Sequence, residues 1–140
     1  MVRDNRISYT GGYKYQLYAS YSVAIPLVLA APISTEYIRL DAAGNLFIKR
    51  GYAWDGASGP TIQTKNTMRG SLVHDALYQL MREKQLDEDT WRSTADDILK
   101  QILREDGMSA IRAWYYHLAV RTFGGPASNP ANDKLVQTAP

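Results

Sequence analysis

The chain predicts an α+β protein, with a small antiparallel β-sheet in the N-terminal half followed by a three-helix layer. Two observations carry this expectation. Apolar residues alternate with period two up to about residue 50, and recur near every 3.6 residues from about residue 70 onward. Between the two regimes, Gly51, Gly56, Gly59 and Pro60 punctuate a loop over 51–61.

The elements follow in chain order. Residues 1–12 read as a short arm ending at Gly11-Gly12. Tyr13-Lys14-Tyr15-Gln16-Leu17-Tyr18 alternates as a strand does, and Tyr21 to Ile25 reads as a second strand that Pro26 ends or confines to an edge. Tyr37 to Asp41 and Leu46 to Arg50 flank Ala42-Ala43-Gly44-Asn45, which signals a β-hairpin. Val73, Ala76, Leu77, Leu80 and Met81 then mark one face of a helix. A second helix is expected from Asp89 to Arg104, capped by Asp87 or Asp89, with Trp91, Ala95, Ile98 and Ile102 inward; Asp106-Gly107 closes it. Ser109 caps a third helix with Ile111, Trp114, Tyr115 and Leu118 inward, ended by Gly124-Gly125-Pro126. Residues 1–126 are thus expected to form one α+β domain, and the Pro/Asn/Ala-rich residues 127–140 a loose tail.

Composition narrows the function classes. Of 140 residues, 45% are hydrophobic, enough for a packed core without disulfide or metal staples. Sixteen basic against 14 acidic residues leave a net charge of +2, so nothing steers the chain toward nucleic acid, and none is expected as a partner. The absence of cysteine excludes disulfides, thiolate metal sites and a cysteine nucleophile, and fits a reducing cytoplasm. Val23 to Ile33 is apolar but broken by Pro26 and Pro32, and shorter than the roughly 20 residues a transmembrane helix needs. Neither a membrane span nor a signal peptide is expected.

The chemistry-bearing residues cluster on the first two helices. His74 and Tyr78 lie four residues apart, one turn apart on one helix face. Asp96 sits at the border of the second helix's apolar stripe, whereas Asp97 points away from it, so antiparallel packing brings Asp96 toward His74 and Tyr78. A histidine oriented by a buried carboxylate is a general base of fixed tautomer, able to activate a water directly. Asp75 offers a hard oxygen ligand suited to Ca²⁺, and the loop around Asp55, Gly56 and Gly59 offers backbone carbonyls for the same ion. Each residue also has a plainer reading: His74 and Asp75 as a satisfied polar contact between helices, Tyr78, Trp54 and Trp114 as core, Asp55 as a turn residue, and His117 as a surface residue.

The order of a Gly-containing loop, then His74-Asp75-x-x-Tyr78, then an aspartate on the next helix resembles the active site of secreted and viral-capsid phospholipases A2. That resemblance implies His74 as general base, Asp75 as Ca²⁺ ligand with loop carbonyls, Asp96 as the group that orients His74, and Tyr78 as its hydrogen-bond partner. It covers about a third of the chain, and no clear Gly-x-Gly calcium loop accompanies it. A second pattern, Asp55-Gly56-Ala57-Ser58-x-Pro60, His74-Asp75-x-Leu77-Tyr78 and Ala95-Asp96, is similar to a family of unknown function found in phages, prophages and bacteria. It implies a phage or prophage origin, and hence a place in the host cytoplasm or a virion, but supplies no activity.

Three functions stay open from the residues. One is a Ca²⁺-dependent ester hydrolase acting on phospholipid or another ester, for which no Gly-x-Ser-x-Gly elbow offers a rival nucleophile. Another is a non-catalytic virion, tail or host-interaction protein with a phage or host protein as partner. The last, a metallohydrolase using His74, Asp75, Asp55 and Asp96 as ligands, ranks lowest because His117 is the only further histidine.

Overall fold

A computed structural model describes residues 9–10, 15–54 and 65–125, with residues 9 and 10 traced by their backbone. The chain divides into two compact units at Asp55 and Gly56. Strands fill the first and helices the second, the α+β arrangement expected.

The strands belong to two antiparallel sheets rather than one. β1 (Tyr9–Thr10), β2 (Tyr15–Leu17) and β7 (Ala53–Trp54) form a three-stranded sheet in the order β1-β2-β7. β3 (Tyr21–Ala24), β4 (Ile33–Ser34), β5 (Ile38–Leu40) and β6 (Asn45–Ile48) form a four-stranded sheet in the order β3-β6-β5-β4. The first sheet closes through distant pairing, Tyr15 opposite Trp54 and Gln16 opposite Ala53, which local periodicity does not reveal. The β5-β6 hairpin is the one the pattern predicts, with Ile38 opposite Ile48 and Leu40 opposite Leu46. Its turn is held by Asp41, whose carboxylate accepts from the amides of Ala43 at 3.0 Å and Asn45 at 2.8 Å. Gly44 adopts φ +94°, and a Cβ there would stand 2.3 Å from the Ile25 carbonyl oxygen, so no other residue fits. Alternation along β3 buries Tyr21 and Val23 and exposes Ser22 and Ala24.

In the second unit a short 3₁₀ turn, Lys65–Thr67, leads into α1 (Met68–Arg82), followed by α2 (Glu88–Glu105) and α3 (Ala110–Phe123). Of the two proposed caps on α2, Asp87 does the work, accepting from the Thr90 amide at 2.9 Å; Ser109 caps α3 through the Arg112 amide at 3.2 Å. Leu99, Leu103, Met108, Ala113, Tyr116 and Val120 form a shared core of α2 and α3. Arg69 on α1 is 2% exposed and grips Asp106 beyond the end of α2 through Nε and Nη2, with Glu105 at 2.8 Å.

The phase of α3 departs from expectation. Ile111, Trp114, Tyr115 and Leu118 face outward, and Ala113, Tyr116, Ala119 and Val120 face the core. The helix is apolar on both sides, so periodicity alone does not decide which side is buried. The face with two alanines packs inward because small residues admit close helix contact. Trp114 is therefore surface rather than core, while Trp54 is buried. Trp91 is half-buried. Among the described residues no helix is long and apolar enough to cross a membrane.

Candidate functional site

Helix periodicity sets the site. α1 presents His74 and Tyr78 one turn apart, and α2 presents Asp96 in its buried stripe beside Ala95 and Leu99. The three side chains meet. Asp96 Oδ1 lies 2.6 Å from His74 Nε2 and accepts from the Tyr78 hydroxyl at 2.5 Å. The His74 and Tyr78 rings stack at a tilt, with centroids 4.0 Å apart. Asp96 is 0% exposed, Tyr78 2% and His74 6%.

Two arginines complete the cluster, and sequence reasoning missed both. Arg121 of α3 donates from Nη1 to Asp96 Oδ2 at 3.0 Å. Arg92 of α2 donates from Nε to the Tyr78 hydroxyl at 3.3 Å and from Nη2 to the carbonyls of Val120 and Arg121 at 3.2 and 3.0 Å. The one sequence hint for Arg121 was that α3 holds no acidic residue, so any ion pair it makes reaches outside its own helix. Arg92 was masked by Glu88 four residues earlier, which reads as an ordinary helical pair. Gly124 lets the end of α3 close over the cluster, since a Cβ there would lie 3.0 Å from the Tyr78 hydroxyl oxygen and 2.5 Å from the Val120 carbonyl oxygen.

The electrostatics follow from these contacts. Burial pushes the Asp96 carboxyl up, but hydrogen bonds and charge from His74, with further bonds from Tyr78 and Arg121, outweigh it and hold the group below the usual carboxylate range. Tyr78 moves the other way: burial first, then the adjacent Asp96 charge, raises its hydroxyl well above the ordinary tyrosine value. With Asp96 ionised, the His74 nitrogen that faces it, Nε2, is the one that carries a proton and donates. No described residue bonds to Nδ1, and the side chain keeps 8% exposure.

The remaining predicted residues are placed less fully. Asp75 follows His74 on α1 and is half-buried. Asp55, Gly56 and Gly59 lie outside the described residues, as do the proposed tail and most of the loop. Among the described residues no three His, Cys, Asp or Glu side chains converge on one point, so the metallohydrolase arrangement lacks its ligand cluster there. His117, expected at the surface, is half-buried and has its own partner, with Nε2 2.8 Å from Oδ1 of the exposed Asp97 on α2.

The fold and cluster define an α+β protein whose three helices converge on a buried aspartate shared by a histidine, a tyrosine and an arginine. Residues 31–120 match a family described as "Protein of unknown function (DUF1353)", and the chain belongs to that family. The matched span holds His74, Tyr78, Arg92 and Asp96 and stops one residue short of Arg121. No curated protein and no solved structure matches the chain.

Proposed function

We propose that the protein is an ester hydrolase of the phospholipase A2 type, with His74 as general base. The observation that supports this reading is the bonding of the imidazole: Nε2 is anchored on a buried, ionised Asp96, and Nδ1 has no partner among the described residues. A histidine held in this way accepts a proton from water at Nδ1, and Asp96 stabilises the imidazolium that results. Tyr78 and Arg121 fix the carboxylate in turn, so the ring has one orientation available. In this role Asp96 and Tyr78 are positioning residues, and the attacking oxygen comes from water.

Calcium belongs to the same proposal. One carboxylate with several backbone carbonyls is a donor set that Ca²⁺ accepts. Asp75, the residue after His74, would supply the carboxylate, and the loop carrying Asp55, Gly56 and Gly59 would supply the rest. A bound Ca²⁺ would polarise the ester carbonyl and neutralise charge developing on its oxygen. The test is release of fatty acid from mixed phospholipid vesicles, with Ca²⁺ or with EDTA, by wild type and His74→Gln. Release that needs both Ca²⁺ and His74 supports the reading. No release from correctly folded wild type overturns it.

A second reading has its own support. The outward apolar face of α3 suits a binding module better than a freely diffusing enzyme. In that reading the protein is a non-catalytic phage component or host-interaction protein, acting in the host cytoplasm or within a virion, and the His74 cluster is structural. Mass spectrometry of purified virions from a producing host tests the virion assignment. The phage or prophage origin itself is proposed from the motif pattern around Asp55, His74 and Asp96.

A further inference from the structure

The first unit holds a cleft of about 630 Å³ between residues 16–20 and residues 49–51. That volume suits a small organic ligand, for which sites run to roughly 300–1,000 Å³. Hydrogen bonds join the two sides. The Gly51 amide donates to the Leu17 carbonyl, and the Leu17 amide to the Tyr52 carbonyl, each at 2.8 Å. Gly51 turns the chain at φ +96°, a conformation that glycine takes without strain. The Gln16 side-chain amide donates to the Gly51 carbonyl at 3.3 Å, and Ser20 Oγ accepts from the Arg50 amide at 2.9 Å.

The charge on the lining has one sign. Lys49 and Arg50 both contribute to it, and among the described residues no carboxylate does. The Lys49 ammonium stands over the Tyr37 ring, 5.7 Å from its centroid, a contact that brings no counter-charge. Among the described residues the Arg50 side chain has neither an ion-pair nor a hydrogen-bond partner. Adjacent cations on a concave surface focus a positive potential and draw an anion. Ser20 adds a donor, since its oxygen accepts from Arg50 and its own proton is left to give. Two cations and a hydroxyl match a phosphate, with its double charge and three acceptor oxygens, better than a carboxylate with two. Tyr18, which is 69% exposed, also lines the cleft and offers an aromatic face. An inorganic ion would leave that face and most of the volume unused.

We propose that the cleft binds a small organic phosphate carrying an aromatic ring. The phosphate pairs with Arg50 and Lys49 and accepts from Ser20, and the ring lies against Tyr18. The inference goes beyond the hydrolase reading and does not rest on it: every lining residue belongs to the first unit, and His74 belongs to the second.

The experiment is isothermal titration calorimetry of the full chain with adenosine 5′-monophosphate and phenyl phosphate, set beside adenosine and inorganic phosphate. At least one of the two aromatic phosphates is expected to bind about tenfold or more tighter than adenosine or inorganic phosphate. Arg50→Gln is expected to weaken that binding by about tenfold or more, and Tyr18→Ser by about fivefold or more. Both side chains are exposed, so circular dichroism and melting temperature are expected to stay at wild-type values. Absence of binding by both aromatic phosphates at millimolar concentration overturns the proposal, as does binding that either variant leaves unchanged. Inorganic phosphate binding as tightly as the aromatic phosphates overturns it in favour of a bare anion site. A single-stranded oligonucleotide that binds through the same two residues, about tenfold or more tighter than either small phosphate, overturns it in favour of a nucleic-acid surface.

Discussion

Replacing Asp96 by asparagine tests whether the buried carboxylate organises the helical unit. The wild-type side chain is 0% exposed and faces three donors, His74 Nε2, the Tyr78 hydroxyl and Arg121 Nη1. A hydrogen bond to a charged group contributes about 1.5–3 kcal/mol, and an unsatisfied buried donor costs a further 1–3 kcal/mol or so. The amide of Asp96→Asn keeps one acceptor oxygen and turns two N–H donors toward a site already full of donors. At most two of the three contacts survive, in weakened form. The Arg121 side chain is 39% exposed, so water screens that ion pair and its share falls at the low end. The expected net loss is roughly 2–4 kcal/mol, or about 10 °C in melting temperature for a chain of this size. Thermal and urea unfolding followed by circular dichroism measure it. The depressed Asp96 value sets the pH dependence. A carboxyl held below its unfolded value of about 3.9 contributes its stability in full above that pH and loses it as pH falls through the folded value. The gap between wild type and variant is therefore expected to be widest near neutrality and to close in acid. A melting temperature within about 2 °C of wild type at pH 7 would refute the reasoning, because a buried network that tolerates such a change is not organising the helices.

Further outcomes follow from the same contacts. Tyr78→Phe removes one donor to Asp96 and the acceptor for Arg92; a loss of about 1–2 kcal/mol in urea unfolding is expected, smaller than for Asp96→Asn because His74 and Arg121 still satisfy the carboxylate. Gly124→Ala forces a methyl group to within 2.5 Å of the Val120 carbonyl oxygen, so the end of α3 must shift off Tyr78; a destabilisation of roughly 1–3 kcal/mol is expected, read by thermal melting. Asp87→Ala deletes the cap of α2 and is expected to cost about 1 kcal/mol in the same assay, with the His74 cluster intact.

Much of the fold was legible because most elements carry a polar face. The β5-β6 hairpin shows in alternation on both sides of a Gly-Asn turn, α1 shows in its apolar stripe, and α2 in a stripe together with a cap and a Gly stop. What was hidden had physical causes. The division into two sheets depends on Tyr15 meeting Trp54, a pairing between distant segments that no local pattern encodes. The phase of α3 was misread because Ile111 and Leu118 are no less apolar than Ala113 and Val120; only packing volume distinguishes the sides. In the site, the i, i+4 spacing of His74 and Tyr78 and the border position of Asp96 pointed to their meeting. Arg92 and Arg121 did not stand out, since a helical arginine reads by default as a solvated charge and only the helix arrangement turns both inward.

The grip of Arg92 on the carbonyls of Val120 and Arg121 has a consequence for motion. The last turn of a helix leaves its carbonyls without intrahelical partners and is ordinarily the first part to fray. Here a cation from a neighbouring helix takes the Arg121 carbonyl and shares the Val120 carbonyl with the Gly124 amide, at the end where the helix dipole favours positive charge. Fraying of α3 would release Arg92 and draw Arg121 away from Asp96, so a small local opening would strip a buried anion of a partner. The carboxyl end of α3 is thereby tied to the centre of the helical unit, and its amides should exchange with solvent deuterium as slowly as those around Asp96.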